Sequence, residues 1–333
     1  MKVFTQVQAS LKRSTPKLYV FFSPLTLITL VLLQTGNVVS AQPEVAESAD
    51  ATVLIERLSK TNLLNGFEIY DELKLVPKRT SSGKGPHTAP SRAFFTANPY
   101  EPRYQRSFDR FAEIENSLPR IARRYEVDES ERRIEYFWQE PVLEWYVSMP
   151  TNTQVCAVRF ADTRREDYEL RTYSNSDEAI ANDHVITHRY HCGTCSSLRN
   201  LSVYLAKPDL MTPVRTCARK LTLRGIKKCL MESIGFEALC AETWAYNVAH
   251  TRRQCMTTCL KHYGVWRVVR NDLGEAHVDD TGNLNPCLAC DENVSGPGFQ
   301  YAAGRTRRAS GLISAIERSA DEVYPVDHSM YFE

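Results

Sequence analysis

The sequence predicts an α+β fold, in which an aromatic antiparallel β region is followed by a mainly helical, disulfide-stapled half. Two observations favour this class. Segments rich in aromatic and β-branched residues, as is typical of strands, lie within residues 133–172. All ten cysteines lie between Cys156 and Cys290, and beyond Cys192 the apolar residues recur at helical spacing.

The first 41 residues have the composition of a secretory leader. They contain four basic residues and no acidic ones, an apolar run at 18–33, and the small-residue sequence "NVVSA" as a cleavage site. The alternative is an uncleaved signal anchor, because the apolar stretch extends over 18–39, about the 20 residues that cross a bilayer. Both predict entry into the secretory pathway, so the protein is expected to be secreted or lumenal, or anchored by a single pass through 18–39.

The charge of the remaining chain argues against a nucleic-acid partner. Without the leader, 37 basic residues face 40 acidic ones. A near-neutral chain lacks the cationic surface that binds phosphate backbones. The expected partner is therefore a protein or a small anionic ligand.

Four segments are predicted along the chain. The leader (1–41) is followed by a helical segment (42–76), a polar, Gly/Pro-punctuated flexible linker (77–103) and a cysteine-rich α+β domain (104–333). At the start of this domain, residues 104–127 are expected to form a helix because their apolar residues have spacings of three and four.

The remaining elements follow from composition and period. Strands are expected at 133–140, 143–149, 154–160 and 168–174, with a turn at "PTNT" and a short helix from Ser176. A stripe at spacings of three and four predicts one long helix over 240–262, with three cysteines facing the same partner. Its members are Cys240, Trp244, Val248, Thr251, Cys255, Cys259 and His262.

Two Cys-x-x-Cys pairs, in "HRYHCGTC" and "PCLACDE", form the first candidate site. Four thiolates and two imidazoles are the ligands that zinc or another transition metal binds in proteins. Such a site predicts a secreted metal-dependent enzyme. Its candidate ligands are His188, His191, Cys192, Cys195, Cys287 and Cys290.

The first pair alone suggests a second interpretation, a thiol-disulfide oxidoreductase. Cys192 is then the nucleophile, Cys195 resolves the mixed disulfide, and His191 with the following helix start lowers the thiol pKa. The resemblance to a redox motif is confined to these four residues, "CGTC".

A purely structural interpretation is favoured, because cysteines in an oxidising compartment form disulfides. It pairs Cys192 or Cys195 with Cys287 or Cys290, a bond that stabilises a fold by about 2–4 kcal/mol. All ten cysteines are predicted to be disulfide-bonded: Cys156, Cys192, Cys195, Cys217, Cys229, Cys240, Cys255, Cys259, Cys287 and Cys290.

Three arginines after Gly304 are candidate ligand-binding residues. The guanidinium groups of Arg305, Arg307 and Arg308 are suited to a carboxylate or phosphate. The alternatives are a solvated basic face or ion pairs to nearby acids. Two Asn-x-Ser triplets predict glycosylation at Asn200 and Asn293.

Together these observations favour a secreted or lumenal cysteine-rich protein with structural disulfides and an anion- or ligand-binding surface near the Cys-x-x-Cys pairs. The metal enzyme and the oxidoreductase are the alternatives. Any reactive site is expected where residues 188–195 meet residues 287–308.

Overall fold

The computed structural model describes residues 49–75, 98–107, 116–118, 123–127, 132–274, 277–278, 282–316 and 318–332. The predicted leader and most of the predicted linker lie outside these residues. The last part of that linker is wrong, because residues 100–103 begin a strand. All described residues belong to one unit, Ala46–Glu333.

The strands of the described residues form two sheets. A four-stranded sheet has the order β1-β6-β5-β7, with β1 parallel to β6 and the other pairs antiparallel. A three-stranded antiparallel sheet has the order β2-β4-β3. The bounds are β1 (Asn62–Leu63), β2 (Tyr100–Ser107), β3 (Arg123–Val127), β4 (Arg132–Trp138), β5 (Val155–Phe160), β6 (Asp167–Tyr173) and β7 (Val185–Arg189).

Helices cover most of the chain after β7, which confirms the predicted α+β class. The helix α8 is the long one that the cysteine stripe predicts. The helical bounds are α1 (Ala49–Ser59), α2 (Gly66–Glu72), α3 (Glu140–Ser148), α4 (Ser176–Ala181), α5 (Leu198–Ala206), α6 (Met211–Ala218), α7 (Leu223–Cys229), α8 (Ala238–Tyr263), α9 (Val265–Arg270), α10 (Pro286–Cys290) and α11 (Gly296–Ala303).

One predicted element is wrong, and another is wrong at its ends. Of the helix expected over 104–127, residues 104–107 belong to β2 and residues 123–127 form β3, which supply hydrogen-bond partners to both edges of β4. Residues 116–117 are helical, and residues 108–115 and 119–122 lie outside the described residues. The strand expected at 143–149 is the helix α3, which begins with Pro141 in its first turn and buries Val142, Leu143 and Trp145. In both segments tertiary pairing and burial decide between two locally plausible structures.

No cysteine is free, and all ten form five disulfides. The pairs are Cys156–Cys192, Cys195–Cys240, Cys217–Cys229, Cys255–Cys290 and Cys259–Cys287. Five structural disulfides are typical of proteins of the secretory pathway or the extracellular space.

The predicted bond between the two Cys-x-x-Cys pairs is therefore wrong. Cys192 follows β7 and pairs with β5, its neighbouring strand, whereas Cys287 and Cys290 lie on α10 and face α8. The three cysteines of α8 do not share one partner either. Cys240 and Cys255 are 15 positions apart on one helix, a rise of about 22 Å.

Among the described helices, none combines the length and the hydropathy of a membrane-spanning segment.

A candidate ligand cleft beside the first cysteine pair

A cleft of about 580 Å³ contains two residues of the first candidate site, His191 and Cys192. We call it the His191 cleft. Its volume lies in the range of about 300–1,000 Å³ that is usual for small-ligand sites. It is lined by the end of α2, by α3, by the 151–154 segment and by β6, together with His191, Cys192 and Tyr301.

The hydrogen bonds of His191 fix its tautomer. Its Nε2 lies 2.8 Å from the carbonyl oxygen of Tyr301, which can only accept, so Nε2 carries the proton and Nδ1 is an acceptor. Burial lowers the pKa of His191 to about 4. The ring is therefore neutral at physiological pH.

An aromatic floor surrounds this histidine. The rings of Trp145 and Tyr301 lie 5.9 Å and 4.7 Å from the His191 ring, centroid to centroid. Trp145 is only 6% exposed, and its buried Nε1 has no hydrogen-bond partner among the described residues. An unsatisfied buried donor is costly, by about 1–3 kcal/mol, and so needs an explanation.

Two glycines allow the two chain segments that carry His191 and Tyr301 to approach each other closely. A Cβ on Gly193 would lie 2.5 Å from the backbone nitrogen of Gly304, closer than real Cβ contacts allow. The amides of Thr194 and Cys195 each donate, at 2.9 Å, to carbonyls of the facing segment 302–303. Residues 188–195 and 287–308 thus meet, although not through their cysteines.

Ionic and neutral polar side chains form the rest of the wall. The charged groups are Glu72, Lys74 and Glu144, and burial together with nearby Glu68 raises the pKa of Glu72. The neutral hydrogen-bonding residues outnumber them: Ser148, Thr151, Asn152, Thr153, Gln154, Thr172 and Ser174. This wall offers many neutral donors and acceptors and no excess of positive charge.

His188 has a structural position. It is fully buried, its Nδ1 donates to the carbonyl oxygen of Arg189 at 2.8 Å, and its Nε2 accepts from the Ser196 hydroxyl at 2.7 Å. The same hydroxyl oxygen accepts from the amide of Gly193 at 2.7 Å. Burial, with Arg305 nearby, holds the pKa of His188 well below its usual value.

The six predicted metal ligands are not brought together. Cys192 and Cys195 are bonded to Cys156 and Cys240, and Cys287 and Cys290 are bonded to α8. A disulfide sulfur is not the thiolate that zinc binding or thiol exchange requires. In the described part of the chain, no group of three or more His, Cys, Asp or Glu side chains is placed to hold a metal ion.

Arg305 is not a surface residue, contrary to the predicted anion site. It is 0% exposed, and its guanidinium donates to both oxygens of Thr187 and to the Ser196 carbonyl oxygen. No carboxylate of the described residues pairs with it. Arg305 therefore links β7 to the segment before α5.

Arg307 and Arg308 are also engaged within the protein. Arg307 donates to the carbonyl oxygens of Tyr204, Lys207 and Ile313. Arg308 forms a 2.6 Å ion pair with Glu292, the type of contact that the alternative interpretation predicts.

The two predicted glycosylation sites differ. Asn200 is fully buried, donates to the Glu237 carboxylate and accepts from the Glu237 amide, so the folded protein has no room for a glycan there. Asn293 is exposed, and its glycosylation stays a prediction.

Sequence reasoning missed Trp145, Glu144 and Tyr301, which line the cleft. The first two lie in the segment assigned to a strand, and Tyr301 is 110 residues from His191. Their aromatic and acidic character was visible in the sequence, but no local signal places them together.

One comparison with known proteins gives a match. The model of a family of unknown function (DUF8771) matches residues 224–326, less than a third of the chain. Of the residues that line the His191 cleft, the matched part includes only Tyr301, and it also includes Arg305. No curated protein and no solved structure matches the chain.

Proposed function

We propose that this protein is a secreted or lumenal binding protein that holds a neutral, polyhydroxylated ligand, such as a short oligosaccharide, in the His191 cleft. The observation that carries the proposal is the composition of the cleft. Its floor combines the rings of Trp145 and Tyr301 with a neutral acceptor on His191, and its wall consists mainly of neutral polar side chains.

A hydroxyl group both donates and accepts hydrogen bonds, so it can donate to Nδ1 of His191 and pair with the neutral polar side chains of the wall. The rings of Trp145 and Tyr301 beside His191 supply an apolar surface on which the C–H groups of a sugar ring can pack.

The charges in the cleft do not favour an anion. Two carboxylates, Glu72 and Glu144, and a single cation, Lys74, lie among the lining residues. The seven neutral polar residues offer hydroxyl and amide groups without the cost of burying a charge. A neutral ligand is therefore supported better than the small anionic ligand expected from the sequence, at least in this cleft.

The two alternative functions have less support. An oxidoreductase needs a Cys192–Cys195 pair that opens and closes, but each sulfur is bonded elsewhere. A metal enzyme needs three or four of its candidate ligands around one ion, and the four candidate cysteines are held in four different disulfides. If hydrolysis occurs in the His191 cleft, the carboxylates of Glu72 and Glu144 are the groups present for it.

The test is calorimetric titration with neutral di- to tetrasaccharides, alongside sulfated saccharides and polyamines. Trp145→Phe makes the aromatic floor smaller, and we expect it to weaken glycan binding by about five- to tenfold. Trp244→Phe is the matched control, because Trp244 is a partly buried tryptophan that lies outside this cleft.

Binding restricted to sulfated saccharides or to polyamines contradicts the proposal, as does equal binding by the Trp145→Phe variant. Release of shorter saccharides during the titration identifies an enzyme at the same site.

A further inference from the structure

A second, smaller cleft lies among the helices of the stapled half. It has a volume of about 240 Å³ and is bounded by α6, α8, α9 and α10. We call it the Arg215 cleft. Its interior is largely apolar and is formed by Met211, Val214, Trp244, Val248, Met256 and Leu288. An apolar cleft with a few polar groups is the usual form of a small-molecule site.

Three arginines lie at one side of this cleft. Arg215 and Arg219 are four residues apart along α6 and its cap, so they lie on one face. Arg252 of α8 donates to the carbonyl oxygens of Ala218 and Lys220, which holds its guanidinium at the end of α6. Neither Arg215 nor Arg219 forms an ion pair with a carboxylate of the described residues.

A single carboxylate, that of Asp291, lines the same cleft. It accepts a hydrogen bond from the Thr251 hydroxyl, which lies 2.9 Å from the Ser295 hydroxyl. Burial raises the pKa of Asp291 to about 6. The residues that line the cleft include three guanidinium groups and one carboxyl group, which already accepts a hydrogen bond from Thr251. The lining therefore carries an excess of positive charge.

We propose that the Arg215 cleft binds a medium-chain amphipathic carboxylate. The carboxylate pairs with Arg215 and Arg219, whose forked donors match its two oxygens, and the alkyl chain lies among the apolar side chains. The volume is below the usual range of about 300–1,000 Å³, which favours a medium rather than a long chain. This site is separate from the His191 cleft, and either proposal can fail without the other.

The arginines that the sequence singled out as anion ligands are used to hold the fold. Arg219 is exposed and Arg215 half-buried, neither forms an ion pair with a described carboxylate, and both lie beside an apolar cavity. The two arginines thus combine access to solvent, freedom from described ion pairs and a neighbouring apolar cavity. These three properties distinguish a ligand site from a solvated basic face, because such a face has no cavity for an apolar body.

The experiment titrates the disulfide-intact protein with decanoate, decanol, decylamine and decyl phosphate, each below its micelle concentration. We expect decanoate to bind more tightly than the other three. Arg215→Gln with Arg219→Gln should weaken decanoate binding by about tenfold or more, since hydrogen bonds to a charged group are lost. Arg224→Gln, an exposed arginine of α7 outside the cleft, is the matched control.

A second measurement locates the bound chain. Bromodecanoate should quench tryptophan fluorescence, and Trp244→Phe should remove most of the quenching, because Trp244 lines the cleft. Thermal unfolding of each variant shows that the fold is kept. Equal binding of decanol, tighter binding of decyl phosphate, or full decanoate affinity in the double arginine variant overturns the proposal.

Discussion

The two Cys-x-x-Cys turns have the same spacing and opposite roles. Cys192 and Cys195 lie in the loop between β7 and α5, and their bonds diverge to β5 and to α8. Cys287 and Cys290 lie on α10, one turn apart, and both bond to α8. The first turn joins the sheet to the helices, whereas the second forms two disulfides between the same pair of helices, α8 and α10. Backbone conformation, not spacing, decides what such a pair can do.

The largest expected difference between the two turns is in the free energy of unfolding that each loses when one of its disulfides is removed. The Cys195–Cys240 bond closes 45 residues and both cysteines are 0% exposed, so Cys195→Ala/Cys240→Ala should lose about 4 kcal/mol of the free energy of unfolding. Cys259→Ala/Cys287→Ala should lose only about 2 kcal/mol, because the neighbouring Cys255–Cys290 bond still closes nearly the same loop.

Urea unfolding of both double variants at neutral pH measures the difference. Equal losses of unfolding free energy in the two double variants would contradict the distinction between a turn whose disulfides lead to two different elements and one whose disulfides lead to the same helix.

The glycine of the first turn is the next target. Gly193→Ala places a Cβ 2.5 Å from the Gly304 nitrogen, and backbone atoms cannot move away as a flexible side chain does. We expect a loss of about 3 kcal/mol in the free energy of unfolding, as for overpacked cores. Gly274→Ala is the control, since no atom lies within 4 Å of its new Cβ. A Gly193→Ala variant as stable as the control excludes the close approach.

His191, just before the first turn, should make stability fall in acid. An unfolded histidine titrates near pH 6.5 and folded His191 near 4, so its contribution is full above about pH 6.5 and is lost as the pH falls toward 4. We expect wild type to lose about 2 kcal/mol more than His191→Gln between pH 7 and pH 4.5. Exposed His262→Gln is the control for replacing an imidazole elsewhere on the chain.

Asp291 lies just after the second turn. Its contribution to stability should change with pH in the opposite direction to that of His191, and the expected effect is the smallest of the four. An unfolded aspartic acid titrates near pH 3.9 and folded Asp291 near 6, so its ionisation costs stability as the pH rises between these values. Asp291→Asn should therefore raise the free energy of unfolding at pH 7.5 by about 1 kcal/mol, after allowing for a weaker bond from Thr251. Unfolding at pH 4 and 7.5 checks this, and a destabilised variant at pH 7.5 refutes the sign.

Local patterns correctly predict several elements in which apolar residues recur at a regular spacing. The strands β5 and β6 and the helix α8 lie where alternation, aromatic content and the three-to-four spacing place them. The 143–149 segment has strand-like composition, but Pro141 and the burial of Trp145 make it a helix. At residues 104–107 and 123–127, pairing with the strand β4 outweighs the helical spacing of the apolar residues.

The sequence predicts that residues 188–195 meet residues 287–308, and the structure shows that these segments meet. The combination of residues that this contact brings together was not predicted. It consists of His191, Trp145 and Tyr301 rather than thiols, because the Gly193–Gly304 approach is a tertiary contact. The predicted role of Arg305 fails for the same reason, since nothing local shows that β7 buries it.

The burial of Arg305 also sets an order for making the protein. Its partners Thr187 and Ser196 precede it by 118 and 109 positions, and Tyr331, 0% exposed, donates to the same threonine hydroxyl. The buried polar groups of Thr187 on β7 thus gain these partners only from residues that leave the ribosome much later. We expect this part of β7 to lack its side-chain partners during synthesis until Tyr331 has emerged. Disulfide formation within residues 156–290 can precede that moment, so cross-linked but incompletely packed chains are the expected intermediates of its biogenesis.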